Sequence, residues 1–261
     1  MLQNKIKHKR ILMIVDGYYP ADIRVRKEAE SLAKKHQVFV VCCKKESEKE
    51  TEVLNKVTVL RSITYKSFTE KGIIDIRIAI NFIHPKFYKV LPKVVKEFKI
   101  DAIHVHDLPL AKTGYLIAEK YNLKTILDLH ENYAAALLTW FSWRKNKLVK
   151  LKNKIFFNYD RWQKYENKIL LKYDHVIAVV EEMKERIIAD TNIKADNITV
   201  ITNSEKKEFS ENFNDHDISF FNNYKDKFIV SYVGGFGPHR GLQTAIEGIK
   251  EVSKTIPNCL L

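Results

Sequence analysis

Residues 11–43 read ILMIVDGYYPADIRVRKEAESLAKKHQVFVVCC, and this stretch decides the fold. It opens and closes on near-continuous apolar runs, Ile11–Val15 and Val38–Cys43. That is the pattern of parallel strands covered on both faces, not of strands with one face in water. Between them Val25, Ala29, Leu32 and Ala33 recur at helical spacing, with charged residues on the other face. The alternation continues outward. Strands are expected at Val57–Leu60, Ala102–Val105, Thr125–Leu129, Val176–Val180 and Thr199–Ile201. Helical patterns lie at Leu108–Tyr121, before His175 and over Glu181–Asp190, and Pro85 and Pro92 interrupt or bound the stretch between Ile73 and Phe98. Strands spaced by helices predict an α/β fold with a doubly wound parallel sheet.

The stretch Glu205–Lys227, rich in Asn, Asp, Glu and Lys, breaks the pattern and reads as a linker. The alternation then restarts with an apolar strand at Phe228–Val233, a glycine-rich turn over Gly234–Gly241 and an amphipathic helix over Leu242–Ser253. Cys259-Leu260-Leu261 opens another strand. One βα unit cannot bury its own apolar face. The expected organisation is therefore a first domain over 1–204, a linker over 205–227, and the beginning of a second domain over 228–261 whose remainder is absent.

Composition narrows the class. In 261 residues, 45% hydrophobic and 11% aromatic content suffices for a proper core and excludes wholesale disorder. No apolar run approaches the roughly 18–20 residues that span a bilayer, and Ile11–Val15 is too short for the apolar part of a signal peptide. Cys42, Cys43 and Cys259 show no metal-ligand or disulfide spacing and read as reduced core residues of a cytosolic protein. The net charge of +13 suggests a polyanionic partner, or only a lysine-rich compositional bias. The charge does cluster. From Arg144 to Lys172 ten basic residues face only Asp160 and Glu166, a net +8, interleaved with aromatics such as Phe156, Trp162 and Tyr165 and preceded by Trp140 and Trp143. This suits an interfacial helix on anionic lipid, with Trp140, Trp143, Lys147, Lys150 and Lys154 as membrane contacts. It suits equally a helix whose aromatic stripe packs into the core.

Ligands of open α/β sheets bind beyond the carboxyl ends of the strands, where three polar groupings fall. Asp16-Gly17-Tyr18-Tyr19-Pro20-Ala21-Asp22-Ile23-Arg24-Val25-Arg26 bridges the first strand to the first helix. Gly17 permits close approach or positive φ. Arg24 and Arg26 are forked donors for a phosphate, or merely a solvated helix face. His104-Val105-His106-Asp107 ends a strand, and alternation places both histidines on one side of the sheet. With no third ligand convincingly spaced, no metal is expected; one histidine should be a core group and the other should face the ligand. Asp128-Leu129-His130-Glu131-Asn132-Tyr133 also ends a strand, so His130 and Glu131 suit proton relay or hydroxyl binding, unless Glu131 and Asn132 only cap the next helix. In the second domain Gly234, Gly235 and Arg240 form a glycine-rich turn ahead of a helix that matches neither the mononucleotide nor the dinucleotide phosphate pattern.

In this order the motifs resemble family 4 glycosyltransferases of the GT-B fold, and the resemblance covers nearly the whole chain. It rests on Gly17-Tyr18-Tyr19-Pro20 with Asp22–Ala29, on His104–Asp107, on Leu127–Glu131, and on Tyr232–Gly235 with Arg240-Gly241-Leu242. The resemblance implies two Rossmann-like domains, the first for the acceptor and the second for a nucleotide-diphosphate sugar. It implies retention of configuration and no metal or other cofactor. By motif position, His130 would touch the transferred sugar as the catalytic residue. Gly17, Tyr18, Arg24, His106, Asp107 and Glu131 would serve sugar and acceptor, and Gly234, Gly235 and Arg240 the donor diphosphate. The family's spaced pair of donor-binding glutamates would fall beyond Leu261. The implied protein is a fragment, a truncated gene product or half of a split enzyme.

The leading expectation is thus a cytoplasmic transferase in cell-envelope or exopolysaccharide assembly, peripheral at the inner membrane face. It would act on a saccharide or lipid-linked acceptor and work with a carboxy-terminal half or partner subunit. The alternative is a non-catalytic acceptor- or membrane-binding module that needs a partner subunit; nucleic acid is not an expected partner, because charge alone supports it. Purified 1–261 alone should show no appreciable sugar transfer, and robust turnover with any nucleotide sugar would overturn that expectation.

Overall fold

The computed structural model describes residues 8–142, 145–204, 219–237 and 240–261. The chain divides into two compact units, Met1–Leu138 with Asn146–Asn203, and Thr139–Lys145 with Ser204–Leu261.

The first unit contains the strands β1 (Arg10–Ile14), β2 (Gln37–Cys43), β3 (Thr51–Leu54), β4 (Val57–Ile63), β5 (Ala102–His106), β6 (Lys124–Leu129), β7 (His175–Ala178) and β8 (Ile198–Val200). Its helices are α1 (Ile23–Leu32), α2 (Phe68–Asn81), α3 (Pro85–Phe98), α4 (Leu108–Tyr121), α6 (Lys147–Phe156), α7 (Tyr159–Leu170) and α8 (Glu181–Thr191), while α5 (Tyr133–Phe141) leads out of it. The strands form one sheet in the order β3-β4-β2-β1-β5-β6-β7-β8. Every neighbouring pair is parallel except β3–β4. The chain winds from β1 to β2 and β4 on one side and resumes at β5 on the other. The switch point of this Rossmann-like sheet therefore lies between β1 and β5.

Continuous burial explains the continuous apolar runs. Leu12, Met13 and Ile14 of β1 pair in register with Phe39, Val40 and Val41 of β2, and all are buried. Val25 and Ala29 of α1 close over this core, which is why that helix is apolar only at those spacings. Helix starts follow local chemistry: Asp22 accepts a hydrogen bond from Arg24 N at α1, and Ser67 accepts one from Glu70 N at α2. At α3, His84 caps the helix and Pro85 occupies its first turn, where a missing N–H costs nothing.

Several boundaries differ from the sequence reading. The helical stretch near Pro92 is not broken there. Pro92 lies inside α3, and the carbonyl it frees, four residues back, belongs to the exposed Tyr88. Strand β3 had no apolar run to announce it. It is an edge hairpin arm joined to β4 through Asn55 and Lys56, both at positive φ, the two-residue turn that matches strand twist. The strand at 176–180 stops at Ala178 because Val180 caps α8. Cys42 and Cys43 are buried thiols, whereas Cys259 is partly exposed rather than a core residue.

In the second unit β9 (Phe228–Ile229) pairs in parallel with β10 (Cys259–Leu260), and α9 (Leu242–Val252) lies between them in sequence. The expected strand at 228–233 is cut to two residues, and no residue of α9 is buried. Most of the expected linker lies outside the described residues; its end forms a short 3-10 turn at Ser219–Tyr224.

Gly114 sets how closely α4 approaches the sheet. A Cβ there would sit 2.3 Å from Val105 Cγ2 and 3.4 Å from Ile14 Cδ1. Gly114→Ala should therefore lower stability by about 1–3 kcal/mol despite alanine's better helix propensity. Urea unfolding measures this, and an unchanged midpoint would refute the close packing.

Candidate active site

Period-two alternation on neighbouring strands builds the centre of the site. Register sets His106 of β5 beside Asp128 of β6, and the residues two positions away, His104 on β5 and His130 just past β6, share their side of the sheet. The His104 and His106 rings stack with centroids 4.4 Å apart, and the His106 and His130 rings are 5.2 Å apart. Asp128 is the hub. His106 Nδ1–H and His130 Nε2–H donate to the same oxygen, Asp128 Oδ2, at 3.1 and 2.9 Å. Burial opposes ionisation of Asp128, but these two bonds overcome it and hold the carboxyl well below its usual range.

The proton inventory follows. Burial disfavours charge on His130 too, yet Asp107 and Asp128 together raise it to about 10, so it is an imidazolium at neutral pH. Its Nδ1 lies 3.4 Å from Asp107 Oδ1, an ion pair without a well-formed hydrogen bond. Glu28 of α1 is pushed up to about 8, first by burial and then by the charge of Asp128, and keeps its proton. His104, buried and beside His106, is driven down and stays neutral. Asp107 caps α4 with φ 68° and ψ 149°, a conformation costly for any residue but glycine. That backbone places its half-exposed carboxylate against His130.

Glu28, His104, His106 and Asp128 offer ligand atoms within 4.8 Å of one another, the one such group among the described residues. In a tetrahedral site with bonds of about 2.0–2.2 Å the ligand atoms would stand roughly 3.3 Å apart. Asp128 Oδ2 already serves two ring N–H groups, whereas Glu28 Oε2, both His104 nitrogens and His106 Nε2 are buried without a hydrogen-bond partner.

The sequence reading is corrected at several residues. His104, His106 and His130 are all buried, so the expected division into one core histidine and one facing the ligand is not seen. Arg24 is not a free phosphate donor: its Nε and Nη2 bond to Asp22 at 3.2 and 3.0 Å. Gly17 does not adopt positive φ, and its carbonyl accepts from Cys43 N at 2.8 Å. Asn132 caps α5 through Ala135 N, while Glu131 is exposed. The charges of Asp107 and Glu131 act on Arg24, and that of His130 acts on Asp22, so these five residues share one locale at the ends of β5 and β6. Tyr18 is exposed, with Lys45 Nζ 5.0 Å from its ring centre. Gly234, Gly235 and Arg240 lie in the second unit, where Gly241, at φ 72°, precedes α9 and Arg240 is exposed. Trp140 is half-buried, and Trp143 lies outside the described residues.

A second network was missed. Asp16, two residues past the end of β1, accepts from Tyr65 Oη at 2.6 Å, Lys71 Nζ at 3.0 Å and Cys43 Sγ at 3.4 Å. His84 Nδ1 accepts from Phe87 N, so its Nε2 carries the proton and donates to Tyr65 Oη at 2.9 Å. Tyr65, Lys71 and His84 come from a loop and two helices far along the chain, and no motif in their sequence announces them. Burial pushes the Tyr133 hydroxyl up, and the charges of Asp75, Glu131, Asp107 and Asp16 add to this, so it lies within range of both networks.

Titration tests the proton inventory. The native state keeps a proton on His130 where the unfolded chain, near pH 6.5, releases it. This contribution to stability is complete below about pH 6.5 and is lost as pH rises through about 10. NMR of the imidazole should show His130 protonated well above neutrality. Asp128→Asn should bring it down and cost about 3 kcal/mol; a His130 midpoint near its ordinary value in the wild type would refute the network.

Residues 22–204 match Glycosyltransferase Family 4. No curated protein matches the chain in sequence. Among solved structures, sucrose-phosphate synthase from Thermosynechococcus elongatus superposes with a TM-score of 0.67 at 15% identity, covering 94% of this chain and 60% of that one. Anabaena HepE in complex with UDP-glucose superposes with a TM-score of 0.54 at 13% identity over 94% of this chain and 58% of its own. A glycosyltransferase from Rickettsia africae gives 0.53 at 16% identity over 95% and 58%. The chain thus spans about three-fifths of the length of the structures it resembles. With the matched residues running from the cap of α1 past the end of β8, the chain belongs to Glycosyltransferase Family 4.

Proposed function

We propose that this protein takes part in moving a sugar from a nucleotide-diphosphate sugar to a saccharide or lipid-linked acceptor, with retention and without a metal. The first unit receives the acceptor and the second carries donor-binding groups. The observation that carries this reading is His130, held protonated by Asp128, with an Nδ1–H that makes no well-formed bond within the protein. That N–H is itself buried, 3.4 Å from the half-exposed carboxylate of Asp107, so Asp107 is the member of the pair open to a sugar hydroxyl and His130 acts through its charge. In retaining transfer the acceptor oxygen bonds to the anomeric carbon on the face from which the diphosphate departs, and its proton passes to the departing phosphate oxygen. The protein's part is to orient the hydroxyls and to stabilise charge on the leaving group. Arg240 and the backbone at Gly234 and Gly235 suit that second task in chemistry. HepE, of the same fold, was solved with UDP-glucose, which supports a donor of this class.

Envelope or exopolysaccharide assembly at the inner membrane face is the setting we infer, since the basic stretch from Arg144 to Lys172 suits an anionic surface. No described helix is long and apolar enough to cross a membrane. The exposed Val233 and Phe236 of the second unit favour the companion reading, a module that works with a partner subunit or carboxy-terminal half.

The test is to express the complete reading frame and assay it against a panel of nucleotide sugars. His130→Ala should lower kcat by about 10²–10³-fold with little change in donor binding. Transfer by His130→Ala at the wild-type rate would overturn the catalytic reading and leave the binding-module reading.

A further inference from the structure

Helix α6 has its polarity reversed. It carries Lys147, Lys150, Lys152 and Lys154 and no acidic residue. Its one buried residue is Asn153, whose side-chain nitrogen and oxygen both lack a partner. Its aliphatic residues face outward instead: Leu148 is 77% exposed, Leu151 56% and Ile155 54%. At 3.6 residues per turn these three fall within an arc of about 60°, opposite Asn153, with Lys147 and Lys154 along one edge and Lys152 along the other. Helix α2 contacts α6, and Ile73, Arg77 and Ile80 recur on the exposed face of α2. Leaving three large aliphatic side chains in water while an amide is buried makes no sense for a helix that serves only its own core.

We propose that the outer face of α6 docks on an anionic lipid bilayer, lying flat with Leu148, Leu151 and Ile155 in the acyl boundary and the lysines at the headgroups. Charge complementarity selects this occupant: cationic side chains flank a purely aliphatic stripe on both edges. A helix of about 15 Å lies in the interface and cannot span it. The inference deepens the proposed transfer to a membrane-borne acceptor and rests on that reading for its purpose. The docking itself needs neither donor nor catalysis.

The experiment is sedimentation of the full chain with phosphatidylcholine vesicles, with or without about one-third phosphatidylglycerol, at low and high salt. The wild type should sediment with the anionic vesicles at low salt only. Two triple variants, Leu148→Ser/Leu151→Ser/Ile155→Ser and Lys147→Gln/Lys152→Gln/Lys154→Gln, should each bind at least about tenfold more weakly. Lys34→Gln/Lys35→Gln, on a distant surface, should bind as the wild type does. Hydrogen exchange on the wild type avoids any folding defect in the variants, and residues 147–156 should gain protection when anionic vesicles are added. Absence of binding, equal binding by the leucine variant, or a self-associating chain that this variant renders monomeric would each overturn the proposal. Transfer to a soluble acceptor is read separately: transfer without vesicle binding defeats the docking alone, and vesicle binding without transfer defeats the catalytic reading alone.

Discussion

A buried carboxylate cannot remain charged without partners, and Asp128 is the buried carboxylate around which this sheet is arranged. Two imidazole N–H groups meet one of its oxygens, and the rest follows from electrostatics. His130 is stabilised as a cation because Asp107 and Asp128 flank it, while Glu28 keeps its proton because it is buried and close to the charge of Asp128. His104 stays neutral because it is fully buried and sits beside His106 and the His130 cation. One ionised group thus bears on the protonation of His130 and Glu28, while burial decides that of His104. Removing it would leave His130⁺ buried against Asp107 alone, which is why such pairs are far costlier to break than to replace whole.

The network around Asp16 obeys the same rule at the end of β1. A relay of donors runs from Phe87 N–H through His84 and Tyr65 to the carboxylate, and each step fixes the tautomer or hydroxyl direction of the next. Burial drives His84 down to about 4, so the relay is neutral except for Asp16 and Lys71. Both networks lie along the carboxyl ends of β1, β5 and β6, at the switch point where a parallel sheet opens to ligands. Side chains ordered this way need no rearrangement when charge develops beside them, and preorganisation of that kind is what lowers a barrier in a low-dielectric site.

The basic, aromatic stretch answers in two ways to one compositional signal. Helix α7 turns Trp162 and Tyr165 inward, where Phe82 stacks on Tyr165 at 3.8 Å and meets Trp162 edge-on at 5.0 Å. There the reading of an aromatic stripe packed into the core is correct. Helix α6, which precedes it in the same basic stretch, turns Leu148, Leu151 and Ile155 outward. Periodicity measures how residues are grouped around a helix, not which side faces the protein. Only neighbouring helices decide that.

The amino-acid sequence by itself determined the wound parallel sheet, because strands buried on both faces must be apolar without interruption, as Ile11–Val15 and Val38–Cys43 are. It also determined that His104 and His106 share a side, and that Asp128 and His130 end a strand, because the two-residue period is a local property of extended chain. It was silent on β3, whose turn uses Asn55 and Lys56 where glycine would have been conspicuous, and it misjudged Pro92, whose helix survives because the freed carbonyl sits on an exposed residue. Tertiary structure alone decided that Tyr65, Lys71 and His84 converge on Asp16, and that Glu28 approaches Asp128. Those contacts join residues tens to a hundred positions apart. Their energies come from shared burial and mutual charge, quantities that exist only once the sheet has brought its strand ends together.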